Sequence, residues 1–184
     1  MRHGQKSGGM TAARYAALVG IAAATVECGK LALSFLPNVE VVTLLLALYG
    51  YVFGWLGVLS AVVFVCIEPL IYGINTWVIT YFIYWPLVAF IFMLLGRAKI
   101  KNRWIFTAAA VILTVFFGVL SSLVDIGLLS GFFDNFLYRF AVYYARGIAF
   151  YIVQIACNAV LFPLLFNFLR VKVEIIKKHM GLSH

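Results

Sequence analysis

The chain has 184 residues, 65% of them hydrophobic and only 11% charged, with a mean hydropathy of +1.07 and a formal net charge of +8. Soluble domains run at about 45–50% apolar and about 25% charged, so a water-facing shell cannot be built and the chain reads as an integral membrane protein. The continuous apolar runs call for helices, because a barrel would alternate polar and apolar residues.

The opening MRHGQKSGGM is basic, but the apolar stretch behind it is too long for a cleavable signal and lacks a clear exit site. The first span, roughly 11–36, is therefore expected to stay in the mature chain, interrupted by Glu27 and Lys30 near its far end. Its start, TAARYAALVGIAAAT, is unusually small: Ala12, Ala13, Ala16, Ala17, Gly20 and Ala24 recur at four-residue spacing. Such a ladder lets another helix approach closely, whether inside this bundle or on a partner.

After the short loop LPNVE, the 56 residues from Val41 to Gly96 contain a single charge, Glu68. Glycine-rich breaks at GYVFGWLG and YGIN divide this block into three helices, roughly 41–53, 56–72 and 77–96. The first is short for a span of about 20 residues and is expected to be tilted or partly interfacial. The third opens with NTWVITYFIYWP, where Trp77, Tyr81, Tyr84 and Trp85 recur at helical spacing. Trp and Tyr form interfacial belts, but Tyr81, Tyr84 and Trp85 lie deep enough to line a ligand pocket, which is mostly apolar and aromatic.

The basic linker RAKIKNR (97–103) leads to a fifth span, 104–129, and a sixth, 143–169, with a basic tail at 170–184. The sixth carries polar groups inside an apolar run. Gly147, Tyr151, Gln154 and Asn158 share one face at 3.6 residues per turn, with Arg146 at the edge of that stripe. Carboxamides in a membrane bond neighbouring helices or face a cavity; taken together, and with Arg146 and Asp125 near the same end, they point to a binding pocket.

Arg2, Lys6 and Arg14, the four bases of the linker, and Arg170, Lys172, Lys177 and Lys178 make eleven of the fourteen basic residues. Lys and Arg concentrate on the cytoplasmic side, so an even number of crossings should separate these segments. Six helices with both termini and residues 97–103 in the cytoplasm satisfy that count. Glu27, Lys30, Glu40, Glu68, Asp125, Asp134 and Arg139 then fall on the outer side. The basic balance is a topology signal, and no nucleic-acid partner is expected.

Chemistry-bearing motifs are absent. No phosphate-cradling G-x-x-x-x-G-K-[ST], H-E-x-x-H or G-x-S-x-G occurs. Cys28, Cys66 and Cys157 are isolated soft hydrophobes, and His3, His179 and His184 all lie in the tails, so neither a metal site nor a catalytic base is expected. Asp125 and Glu68 have no nucleophile to serve, and the chain is expected not to be an enzyme.

The small ladder of helix one, LPNVE before helix two, six short spans and an Asn-bearing last helix together resemble the substrate-binding S component of energy-coupling factor (ECF) vitamin transporters, over roughly residues 11–170. The resemblance implies a multi-pass subunit of a bacterial plasma membrane that captures a vitamin from outside. It also implies an energising module, a membrane coupling subunit plus two cytoplasmic ATPases, which hydrolyses the ATP. The Ala12/Ala16 or Ala13/Ala17 face would meet the coupling subunit. No residue set fixes the vitamin; the aromatic fourth helix and few pocket charges favour cobalamin, ahead of pantothenate, folate and riboflavin. A stand-alone channel or scaffold is the competing class.

Overall fold

The computed structural model describes residues 11–36, 39–131 and 135–182; Arg2, His3, Lys6, Asp134, His184 and the Pro37–Asn38 pair of the LPNVE loop lie outside them. The described chain is helical: α1 (Ala12–Ala32), α2 (Val42–Phe53), α3 (Trp55–Tyr72), α4 (Trp77–Arg97), α5 (Arg103–Ser130), α6 (Phe136–Leu161), a π-helical turn (Phe162–Phe166) and α7 (Asn167–His179). Five helical segments are long and apolar enough to cross a membrane, and α2 is a further, shorter apolar helix. This is a multi-pass membrane architecture.

From α1 to α6, successive helices run antiparallel. Gly29 of α1 meets Val41 and Leu45 at the start of α2, and Gly57 of α3 meets the backbone of Tyr49. Phe64 packs on Trp85, Phe92 on Phe106, and Asn158 bonds Thr114, tying α3 to α4, α4 to α5 and α5 to α6. The turn between α2 and α3 is the single residue Gly54, at φ 63°, a conformation open to glycine at little steric cost.

The sequence suggests a tilted or interfacial second helix; the structure puts it at the centre. Nine of the twelve residues of α2 are buried. Glycines explain how so short a helix is gripped on two sides. A side chain at Gly50 would collide with the backbone of Ala89, and one at Gly96 with the backbone of Tyr51, so α2 and α4 approach backbone to backbone. Membrane helices hold together by such close packing, since lipid offers no hydrophobic gain for leaving it.

The last helix departs from its expected 143–169 bounds at both ends. It begins at Phe136 and runs on through the π turn into α7, so most of the stretch expected as a basic tail is ordered helix. Pro163 lies in that turn; lacking an N–H, it cannot complete the α-helical ladder. Phe162 and Phe166 stack at 5.5 Å and pack with Phe92 and Phe106.

Arg14, the basic linker and the basic residues of α7 gather at one end of the bundle. Arg14 shares a groove with His179, Tyr51 donates to the Ile100 carbonyl at 2.5 Å, Asn167 reaches the Lys101 carbonyl at 3.4 Å, and Lys177 donates to the Val52 carbonyl at 2.7 Å. Glu27, Lys30, Glu40 and Glu68 gather toward the opposite end.

Candidate functional site

The site follows from the length of α2. At about 1.5 Å per residue, its twelve residues reach about 18 Å, against a hydrocarbon core of about 30 Å. Its C-terminal end is flush with α4, where Tyr51 meets Gly96. Its start stops short, with Thr43 beside Tyr84, about two turns inside α4's first residue. The space above α2 is partly filled by Leu33, Ser34, Leu36, Val39 and Glu40, leaving a cavity of about 250 Å³.

That cavity is lined by the end of α1 (Lys30, with Leu33, Ser34 and Leu36 beyond it), Val39, Glu40 and Val42 at the start of α2, Phe64 and Tyr72 of α3, Tyr81 and Trp85 of α4, and Phe150 and Gln154 of α6. Its one cation is neutralised from the side. Lys30 donates to both carboxylate oxygens of Glu68, at 2.6 Å to Oε1, and Glu68 is only 1% exposed. The ammonium also lies 4.0 Å from the centre of the Tyr72 ring and 5.9 Å from that of Tyr81, a cation–π cradle. The Tyr72 hydroxyl donates to Glu27 Oε1 at 3.4 Å.

Glu40 forms the second polar wall. Its Oε1 accepts from the Thr43 hydroxyl at 2.6 Å, and Cys157 Sγ contacts its carbonyl at 3.5 Å. Burial pushes the Glu40 carboxyl above its ordinary pKa, opposed by hydrogen bonds from Thr43 and Val42 and by the charge of Lys30. Two polar atoms of the region are buried without partners, Trp85 Nε1 and Glu27 Oε2. Buried donors and acceptors are normally paired, so these two atoms mark unsatisfied polar groups in the protein around the cavity.

The residues expected from sequence divide. Tyr81, Trp85 and Gln154 line the cavity. Trp77 stands outside it, edge-on to Tyr81 at 4.9 Å. Tyr84 is buried behind the wall, packed on Phe117 at 4.8 Å. Asn158 does not face a ligand space: its amide donates to Thr114 Oγ1 at 2.9 Å in the α5–α6 interface. Tyr151 fills the same interface, against Gly118 and Gly147. Arg146 is exposed beside the Tyr143 ring, about 120° around the helix from Asn158 at 3.6 residues per turn. Asp125 lies on α5, off the cavity. The polar stripe of the last helix is thus a helix-packing seam with one residue, Gln154, at the cavity.

Lys30, Glu40, Glu68 and Tyr72 are site residues that the sequence reading passed over as loop-edge charges or left aside. The available signal was the pair of opposite charges inside apolar runs, since an ionisable group in a span marks a functional position with a partner.

The expected partner face is open in this chain. Ala12, Ala13, Ala16, Ala17, Gly20 and Ala24 are all exposed, and α1 instead buries Leu18, Val19, Ala22, Ala23, Val26 and Glu27. Comparisons with protein-family models, curated proteins and solved structures return no match.

Proposed function

We propose that the chain captures a small organic molecule at the end opposite its basic segments, as the S component of an ECF-type vitamin importer. What carries this reading is the double use of α1: one end closes a part-polar cavity with Lys30, while the rest of the helix presents an uncovered ladder of small residues. A stand-alone bundle has no reason to leave its closest-packing face to lipid. A partner helix that docks there gives it one.

In this reading the basic end faces the cytoplasm, following the positive-inside tendency, and the cavity opens outward beneath the α1–α2 connection. A coupling subunit with two ATPases supplies the energy, and this chain performs no catalysis. The cavity is smaller than the 300–1,000 Å³ range of drug-sized pockets. At this volume it suits pantothenate, the smallest of the four vitamins; cobalamin requires a wider cavity.

Thermal unfolding of the purified, detergent-solubilised chain tests the proposal, because a ligand of the native state raises its stability by mass action. Pantothenate is expected to raise the melting temperature, and Gln154→Ala to remove the shift. If pantothenate, cobalamin, folate and riboflavin all leave the transition unmoved, the vitamin reading fails. Replacing Ala13 and Ala17 together by Trp should retain binding and abolish uptake with the energising module; unimpaired uptake would remove the docking role of α1.

A further inference from the structure

The basic end holds a second cavity, about 810 Å³, between the end of α2, the end of α4, the linker behind it and α7. Lys99, Lys101, Arg170, Lys177 and Lys178 line it, opposed by one carboxylate, Glu174. Basic residues at a membrane boundary are ordinary. The construction of this group is not.

Arg170 is drawn into the protein, only 9% exposed. Its guanidinium lies 5.6 Å from the centre of the Tyr51 ring, and that ring is fixed in turn by the bond from its hydroxyl to the Ile100 carbonyl. Yet Arg170 is poorly used as a donor. Its contact to Glu174 is long, 3.4 Å, and its Nε is buried with no hydrogen-bond partner. A guanidinium that lines a basic cavity beside an aromatic ring, with only a long contact to a carboxylate, is suited to a planar or tetrahedral oxyanion.

Its surroundings narrow the choice of anion. Lys99 is held in the left-handed region at φ 54°, and Lys177 is fixed by its bond to the Val52 carbonyl. Three to four positive charges around one anion exceed what a carboxylate needs and suit a phosphate. The neighbouring face of α7 exposes Phe168, Val171, Ile175 and Ile176, an apolar surface continuous with the cavity mouth at Val171. A ligand with a phosphate at one end and hydrocarbon at the other matches both halves.

We propose that this cavity binds the phosphate of an anionic membrane phospholipid, with Arg170 as the oriented donor and Lys99, Lys101 and Lys178 as flanking charges. Basic pockets at the ends of membrane helices recognise lipid headgroups by this chemistry. The site is independent of the vitamin cavity at the other end.

The test uses the full chain, purified in neutral detergent, stripped of lipid, and melted at matched ionic strength. Short-chain phosphatidylglycerol is expected to raise the melting temperature, whereas phosphatidylcholine of the same chain length leaves it unmoved. Arg170→Gln should weaken the phosphatidylglycerol response about tenfold or more, as expected for losing a charge-assisted donor. Lys172→Gln, on an exposed position of α7, should respond like the parent. Should Arg170→Gln not fold, the double variant Lys99→Gln/Lys101→Gln, at exposed linker positions, must show the same loss. Equal shifts from both lipids, or none, overturn the proposal. An equal shift from sodium phosphate alone overturns the lipid as the source, and a response confined to poly-glutamate overturns the phosphate.

Discussion

Lys30 and Glu68 sit 38 positions apart in sequence, on the two parallel helices α1 and α3. Glu68 is buried while Lys30 is about a quarter exposed, so removing Lys30 leaves a buried carboxylate uncompensated, whereas replacing both members of such a pair with apolar residues is often neutral. Lys30→Met is therefore expected to lower the melting temperature sharply, and Lys30→Met/Glu68→Leu to recover most of the loss; a double variant as unstable as the single one would show the pair is not the cause. Asn158 and Gln154 make a second contrast. Asn158→Ala breaks the bond to Thr114 and should reduce stability by about 1 kcal/mol, with ligand affinity in the folded fraction unchanged. Gln154→Ala should weaken ligand binding with little change in the melting temperature of the empty protein. Ligand titrations on both variants separate the two roles, and the reverse pattern would return Asn158 to the site.

At the level of the element, α2 depends on contacts that only glycine permits. An added methyl at Gly50 would overlap the backbone of Ala89, and overpacking of this kind costs about 1–3 kcal/mol. Gly20, on the exposed face of α1, has nothing within 4 Å of an added Cβ, and alanine favours a helix over glycine by about 1 kcal/mol. Gly50→Ala should thus lower the melting temperature and the folded yield, while Gly20→Ala leaves stability unchanged or improves it. Loss of stability in both variants would mean that α1 is packed on its small face even in the isolated chain. Neither outcome could be read from composition, because the two glycines stand in equally apolar stretches and differ only in what lies opposite.

For the whole molecule, Arg14, the linker and the basic residues of α7 share one end, and the orientation proposed from them is open to a direct measurement. A single cysteine introduced as Asn102→Cys, in a background lacking the native three, should react with a membrane-impermeant reagent only after the cells are opened. Labelling in intact cells would turn the bundle over. Much of this frame was legible beforehand: apolar runs, glycine breaks and clustered bases are local signals, and they locate helices and their common ends. The cavity was legible only in part. Tyr81, Trp85 and Gln154 stood out as aromatic or polar groups inside spans. The Lys30–Glu68 pair did not, since it depends on which helices become neighbours. Arg146 misled because a shared sequence window is not a shared helix face.

The shortness of α2 has a consequence for traffic through the molecule. The helix occupies the middle of the bundle like a stopper, flush with the basic end and recessed at the other. Whatever enters the recess meets the buried first turn of α2 and finds no continuation toward the basic end. An occupant of the recess can exchange with that side alone. Release to the other side would require the bundle to tip as a body, or α2 to leave its place between α3 and α4. In sealed vesicles, the isolated chain is therefore expected to bind its ligand and conduct none of it across. Passive flux through the chain by itself would show that the stopper can be drawn.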